Sequence, residues 1–132
     1  MKPTIAVVDD EWSVRTMLGR VLRVAGYRVS AFSRGEDFMV SLETRLPACA
    51  IVDIHMPQMN GFEVQSSLLE ANLRVPTILI TASDDSSLDE AARRLKVTRV
   101  LRKPFSAEQL LDAVKAELVA HGLGAGGWPK PT

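Results

Sequence analysis

Three adjacent carboxylates, Asp9, Asp10 and Glu11, follow directly on the apolar run Ile5–Val8. Two carboxylates about 5 Å apart, at an effective dielectric of about 20, repel by about 3 kcal/mol. A cation has to offset that cost, and clustered carboxylates suit a hard divalent ion such as Mg²⁺ with several retained waters. Three more reactive groups end later apolar runs: Asp53 after ACAIV, Thr81 after TILI and Lys103 after VLR. The chemistry that uses this set is metal-assisted phosphoryl transfer to a carboxylate, which forms an acyl phosphate. Such transfer depends on positioning and charge neutralisation. Asp53 is the expected nucleophile, because Asp9 and Asp10 are better placed to hold the metal. Lys103 and Thr81 would share the phosphoryl oxygens with the ion.

Each residue also has an ordinary reading. An acid after a strand can cap a helix, a loop aspartate can start a turn, and a lysine can be a solvated surface charge. The ordinary readings weaken together, because these groups all sit at the ends of apolar runs. Short apolar runs alternate with helical periods along the chain. Strands are expected at Ile5–Val8, Tyr27–Phe32, Ala48–Val52, Val75–Ile80 and Val97–Leu101. Helices are expected from Val14 to Ala25, Arg34 to Thr44, Phe62 to Ala71 and up to Leu95, with Ser83, Asp84 and Asp85 as N-cap candidates. A last helix opens with a Ser106–Gln109 capping box. Tyr27–Phe32 is the most polar run, as an edge strand would be. The pattern is βα repeated five times, an α/β chain with a parallel sheet covered on both faces. In such sheets ligands bind beyond the carboxyl ends of the strands, where all the reactive groups fall.

The totals bound the rest. A chain of 132 residues, 46% hydrophobic and 24% charged, suits one domain with one core. Lys+Arg and Asp+Glu are both 16, which argues against a free-standing nucleic-acid binder. Cys49 is the single cysteine, so no internal disulfide or cysteine-based zinc site can form. Within ACAIV it reads as a buried apolar residue. No run reaches membrane-spanning length, and a cytoplasmic protein is expected. The folded unit should cover 1–121, with the Gly- and Pro-rich 122–132 as a flexible tail or linker start.

The segments VDDEWSVR, VDIHMPQMNGFE, PTILITAS and RKPFS resemble the receiver domain of bacterial two-component response regulators, most closely that of FixJ-type regulators. The resemblance spans about residues 4–120. It implies a flavodoxin-like (βα)5 sandwich with strand order 2-1-3-4-5. It implies that Asp53 accepts a phosphoryl group from a sensor histidine kinase or phosphotransfer protein, in a two-component phosphorelay. Asp10 would ligate Mg²⁺ directly and Asp9 mostly through water, with Asp53 and the backbone carbonyl of His55 completing the protein ligands. The His55 side chain would face solvent. Lys103 would neutralise the phosphoryl group, Thr81 would swing toward it, and the Lys103–Pro104 bond would be cis. The domain would phosphorylate and dephosphorylate itself without being an enzyme with an external product. Its partners would be the kinase and a downstream effector or covalently linked output domain, with no direct nucleic-acid or membrane contact. The output face, which can also form a homodimer, would be the fourth helix, fifth strand and fifth helix.

The chain departs from the receiver pattern on that face. The position normally held by Tyr or Phe in the fifth strand is Val100, and LKVTRV stands where a Gly usually precedes the strand. A valine cannot rotate a ring inward behind the threonine, so a weaker or rewired response is expected. The competing function is a pseudo-receiver used for docking or dimerisation. A flavodoxin-type flavin protein would need a phosphate loop where Asp9–Glu11 would repel phosphate. An aspartyl phosphatase would carry its nucleophile after the first strand rather than the third.

Overall fold

The computed structural model describes residues 2–97 and 99–121. The expected tail at 122–132 lies outside them. The elements run β1 (Thr4–Val8), α1 (Trp12–Val24), β2 (Arg28–Phe32), α2 (Gly35–Ser41), β3 (Cys49–Asp53), α3 (Gly61–Glu70), β4 (Thr77–Thr81), α4 (Ser87–Arg94), β5 (Val100–Arg102) and α5 (Ala107–Ala120). All strand pairs are parallel, and the order is β2-β1-β3-β4-β5, the five-stranded arrangement that the resemblance implied. β2 is an edge strand, as its polar sequence suggested.

Strand side chains alternate between two faces, and each face closes its own core. Ala6, Val8, Ala50 and Val52 meet Phe38 of α2, Val64 and Leu68 of α3 and Ala92 of α4. Ile5, Val7, Cys49 and Ile51 meet Leu18 and Leu22 of α1 and Leu110 and Val114 of α5. Cys49 is fully buried, and burial pushes its thiol pKa well up, in keeping with an unreactive core residue.

Three helices end in the same motif. In α1, Tyr27 N–H donates to the Leu22 carbonyl and Gly26 N–H to that of Arg23. Leu73 and Asn72 repeat this on Leu68 and Leu69 after α3, as do Val97 and Lys96 on Ala92 and Arg93 after α4. The pattern needs a left-handed residue after the cap. Gly26, Asn72 and Lys96 supply it with φ of 102°, 57° and 67°. Glycine and asparagine tolerate this conformation, whereas a lysine carries the Cβ penalty. Lys96→Gly is therefore expected to raise stability by about 0.5–1 kcal/mol, the relieved strain outweighing the added unfolded-state entropy. Urea denaturation measures it, and an unchanged or lower midpoint would refute the strain.

That cap also corrects the fifth strand. It was expected at Val97–Leu101 but runs Val100–Arg102, because Val97 belongs to the α4 terminus and buries its side chain there beside Ala92. α4 starts later than expected, at Ser87. Of the cap candidates, Asp85 accepts from Ser87 N–H at 2.9 Å, while Ser83 accepts from Asp85 N–H within the preceding loop. α2 stops at Ser41, and the chain to Thr44 closes through tighter three-residue turns. The Ser106–Gln109 capping box forms as expected. A second box, Asn60–Glu63, opens α3 where the sequence suggested only loop.

Candidate functional site

The parallel register brings the carboxyl ends of β1, β3, β4 and β5 to one edge. Asp9 follows β1, Asp53 ends β3, Thr81 ends β4 and Lys103 follows β5. Thr81 pairs with Arg102, and the Lys103 N–H donates to the Thr81 carbonyl at 2.7 Å. The Lys103–Pro104 bond is cis, as the resemblance implied.

The three aspartates converge. One carboxylate oxygen from each of Asp9, Asp10 and Asp53 lies within 4.8 Å of the others. Asp9 and Asp53 are buried and Asp10 is exposed at the rim. Lys103 Nζ reaches into this cluster, 3.1 Å from Asp9 Oδ2, 3.4 Å from Asp53 Oδ2 and 3.8 Å from Glu11 Oε1. The other Asp9 oxygen accepts from Glu11 N–H at 2.9 Å, and Asp53 Oδ1 accepts from His55 N–H at 3.1 Å. The cost of placing like charges together is thus shared among an ammonium and two backbone donors.

The electrostatics follow from this crowding. Burial, and then the Asp9 charge, raise the Asp53 pKa against the lowering effect of the His55 N–H and Lys103. Burial alone would lower the Lys103 pKa, but Asp9, Asp53 and Glu11 outweigh it and carry the ammonium up. An all-oxygen donor set of three carboxylates beside one lysine suits a hard divalent cation.

Asp9, Asp10, Asp53, His55, Thr81 and Lys103 all reach this edge, although not in one role. The His55 side chain is exposed, and the loop contributes its backbone N–H to Asp53. Thr81 is fully buried, and its Oγ1 accepts from Ser83 N–H at 3.0 Å, which ties the hydroxyl to the loop after β4. Trp12 beside the acids is 71% exposed.

Two arginines escaped the sequence reading. Arg15 donates to the Asp9 carbonyl at 2.8 Å and braces the acidic turn from the next turn of α1. The signal was its place one helical turn after Glu11, whose carbonyl accepts the Arg15 N–H. Arg102 holds both Asp89 oxygens of α4, at 3.2 and 3.1 Å, and the Asp85 carbonyl at 3.0 Å. It links the strand that carries Lys103 to the loop that follows Thr81. Nothing in the spacing of Asp89 and Arg102 marks them as partners.

The chain matches the response regulator receiver domain over residues 5–115. The chain belongs to the response-regulator receiver family. Among its relatives, this receiver is 32% identical over 118 residues to the transcriptional regulatory protein TdiR of Thauera aromatica, covering 89% of the chain and 52% of TdiR. A response regulator receiver protein from Burkholderia phymatum is similar in structure, with TM-score 0.79 and 38% identity over 88% of this chain and 94% of that one. FixJ-N superposes with TM-score 0.82 and 26% identity, covering 89% and 94%. The receiver spans about half the length of the curated relatives it matches. No helix among the described residues is long and apolar enough to cross a membrane.

Proposed function

We propose that Asp53 is the phosphoryl acceptor of this receiver. The observation that carries this is the Asp53 carboxylate at the end of β3, 3.4 Å from Lys103 Nζ and clustered with Asp9 and Asp10. A carboxylate oxygen of Asp53 attacks phosphorus. The bond from phosphorus to the donor's imidazole nitrogen, or to the oxygen of a small acyl phosphate, breaks as the acyl phosphate forms. Lys103 faces the charge that gathers on the phosphoryl oxygens, and the Thr81 hydroxyl moves from Ser83 toward them. Mg²⁺ held by Asp10 and Asp53, with the His55 carbonyl and with Asp9 acting mostly through water, would neutralise the phosphoryl charge. Water attack on the same acyl phosphate returns the free carboxylate, so the domain times its own signal.

The donor is a sensor histidine kinase or phosphotransfer protein in the cytoplasm. The output passes through α4, β5 and α5 to an effector, a covalently linked output domain or a second copy of the chain. Val100 and the Arg102 clamp favour a small conformational response. The strand position behind Thr81 carries no ring, and Arg102 already fixes α4 to β5. The switching equilibrium is then biased rather than fully thrown.

Incubation with acetyl phosphate and Mg²⁺ is expected to add one phosphoryl group by intact mass. Asp53→Asn should stay unmodified, and chelating the metal should suppress the addition. Backbone amide shifts of the phosphorylated sample should change little across α4 and β5. Equal labelling of Asp53→Asn would refute the acceptor assignment, and large shifts there would refute the damped response.

A further inference from the structure

The opposite pole of the sheet carries a second concentration of charge. Between Trp12 and Gly35 the chain has five arginines and no carboxylate, although its overall charge balances. Arg23 closes α1, Arg28 opens β2, and Lys2 precedes β1. Together with Tyr27 and Val29 they line an open concavity of about 710 Å³. This lies at the amino ends of β1 and β2. Five-residue strands, at about 3.3 Å per residue, separate it from the aspartates. Among the described residues, no carboxylate pairs with Lys2, Arg23 or Arg28. Other arginines of the chain are engaged: Arg15, Arg34, Arg93, Arg94, Arg99 and Arg102 all hold an oxygen.

Tyr27 gives the concavity a different character on one side. Its ring packs partly on the core of α1 and α5 and is half-buried, and burial raises its phenol pKa. The backbone fixes its position, since Tyr27 is the residue that closes the α1 cap on Leu22. An aromatic face beside three unpaired cations suits a ligand with a flat ring and a multiply charged anion. The volume falls in the range of small-molecule sites.

We infer that the cleft formed by Lys2, Arg23, Tyr27, Arg28 and Val29 binds a nucleotide, its phosphates on the cations and its base against Tyr27. Guanidinium groups pair bidentately with phosphate oxygens, and the two arginines come from different elements, the end of α1 and the start of β2. Such a ligand would bridge the end of α1 to the edge strand. This reading does not depend on the role of Asp53.

The test uses the full chain, ¹⁵N-labelled, without Mg²⁺ and titrated with adenosine diphosphate, pyrophosphate, adenosine and a short single-stranded DNA. Adenosine diphosphate should shift the amides of Lys2, Arg23 and Tyr27–Val29. Pyrophosphate should shift them with weaker affinity, and adenosine hardly at all. Arg23→Ala with Arg28→Ala should weaken adenosine diphosphate binding at least about tenfold per arginine lost. The same variant should keep its amide dispersion and its acetyl-phosphate labelling at Asp53. Shifts confined to the Asp9–Lys103 edge, or unchanged binding by the double variant, would overturn the site. Pyrophosphate binding as tightly as the nucleotide would overturn the role of Tyr27 and the nucleotide assignment. Tighter binding of the DNA would overturn the small-molecule assignment.

Discussion

Lys103→Met is expected to cost about 3 kcal/mol at neutral pH, the magnitude for removing one partner of a buried charge pair. The substitution keeps the length of the side chain and removes only the ammonium. Asp9 is then left with no cation at its Oδ2, and Asp53 loses the positive group 3.4 Å away. Both are buried, so water repays little of the loss. The cost carries a pH signature. The Asp53 pKa is already raised in the fold, first by burial and then by Asp9. A raised carboxylate pKa means that the folded state holds its proton more tightly than the unfolded chain. Stability therefore falls as pH rises from the ordinary carboxylate range through the raised value, and the loss is complete above it. Removing Lys103 raises that value further and widens the window. Urea denaturation of both proteins at about pH 5 and about pH 7.5 should show the difference shrinking on the acid side. A penalty equal at both pH values would mean that the lysine stabilises by packing rather than by charge. Mg²⁺ should restore more stability to Lys103→Met than to the parent, because the metal binds only the folded cluster.

Gly61→Ala is expected to disable the site without touching any group that does chemistry. A Cβ on Gly61 would stand 2.7 Å from the Asp53 carbonyl oxygen and 2.9 Å from the Ile54 Cα. These are backbone atoms and cannot rotate away. The Gly61 N–H also donates to the Ile54 carbonyl at 3.0 Å, which holds the start of α3 against the chain leaving β3. The methyl group must push α3 and Asp53 apart. Overpacking of this kind costs about 2 kcal/mol. The displacement of Asp53 matters more, since about 1 Å of misplacement can cost about a hundredfold in rate. Labelling by acetyl phosphate with Mg²⁺ should slow by at least about tenfold, with a lower urea midpoint. Labelling at the parent rate would show that the contact is relieved without moving Asp53.

These two cases mark how far the sequence reaches. Lys103 was legible as a reactive group because it ends an apolar run, as do Asp9, Asp53 and Thr81. Strand alternation and helical spacing are set by neighbours a few residues apart, so the five βα repeats could be read in order. The parallel arrangement then required those ends to meet at one edge. Asn60–Glu63 was equally local, a capping box whose spacing was there to be read. For Gly61, only the packing of α3 on β3 shows why no side chain fits there.

What the tertiary structure decided is which member of each group faces inward. Asp9 and Asp10 are adjacent and chemically identical, yet Asp9 is buried on Lys103 and Asp10 lies exposed at the rim. Lys96 takes the left-handed turn that shortens β5, because the α4 cap has to bury Val97 beside Ala92. Arg102 finds Asp89, and among the described residues Arg23 and Arg28 find none of the carboxylates. A strand or a helix follows from periodicity, which a chain carries within itself. The direction of a long charged side chain follows from surfaces contributed by distant segments, and those exist only once the sheet and its helices have closed.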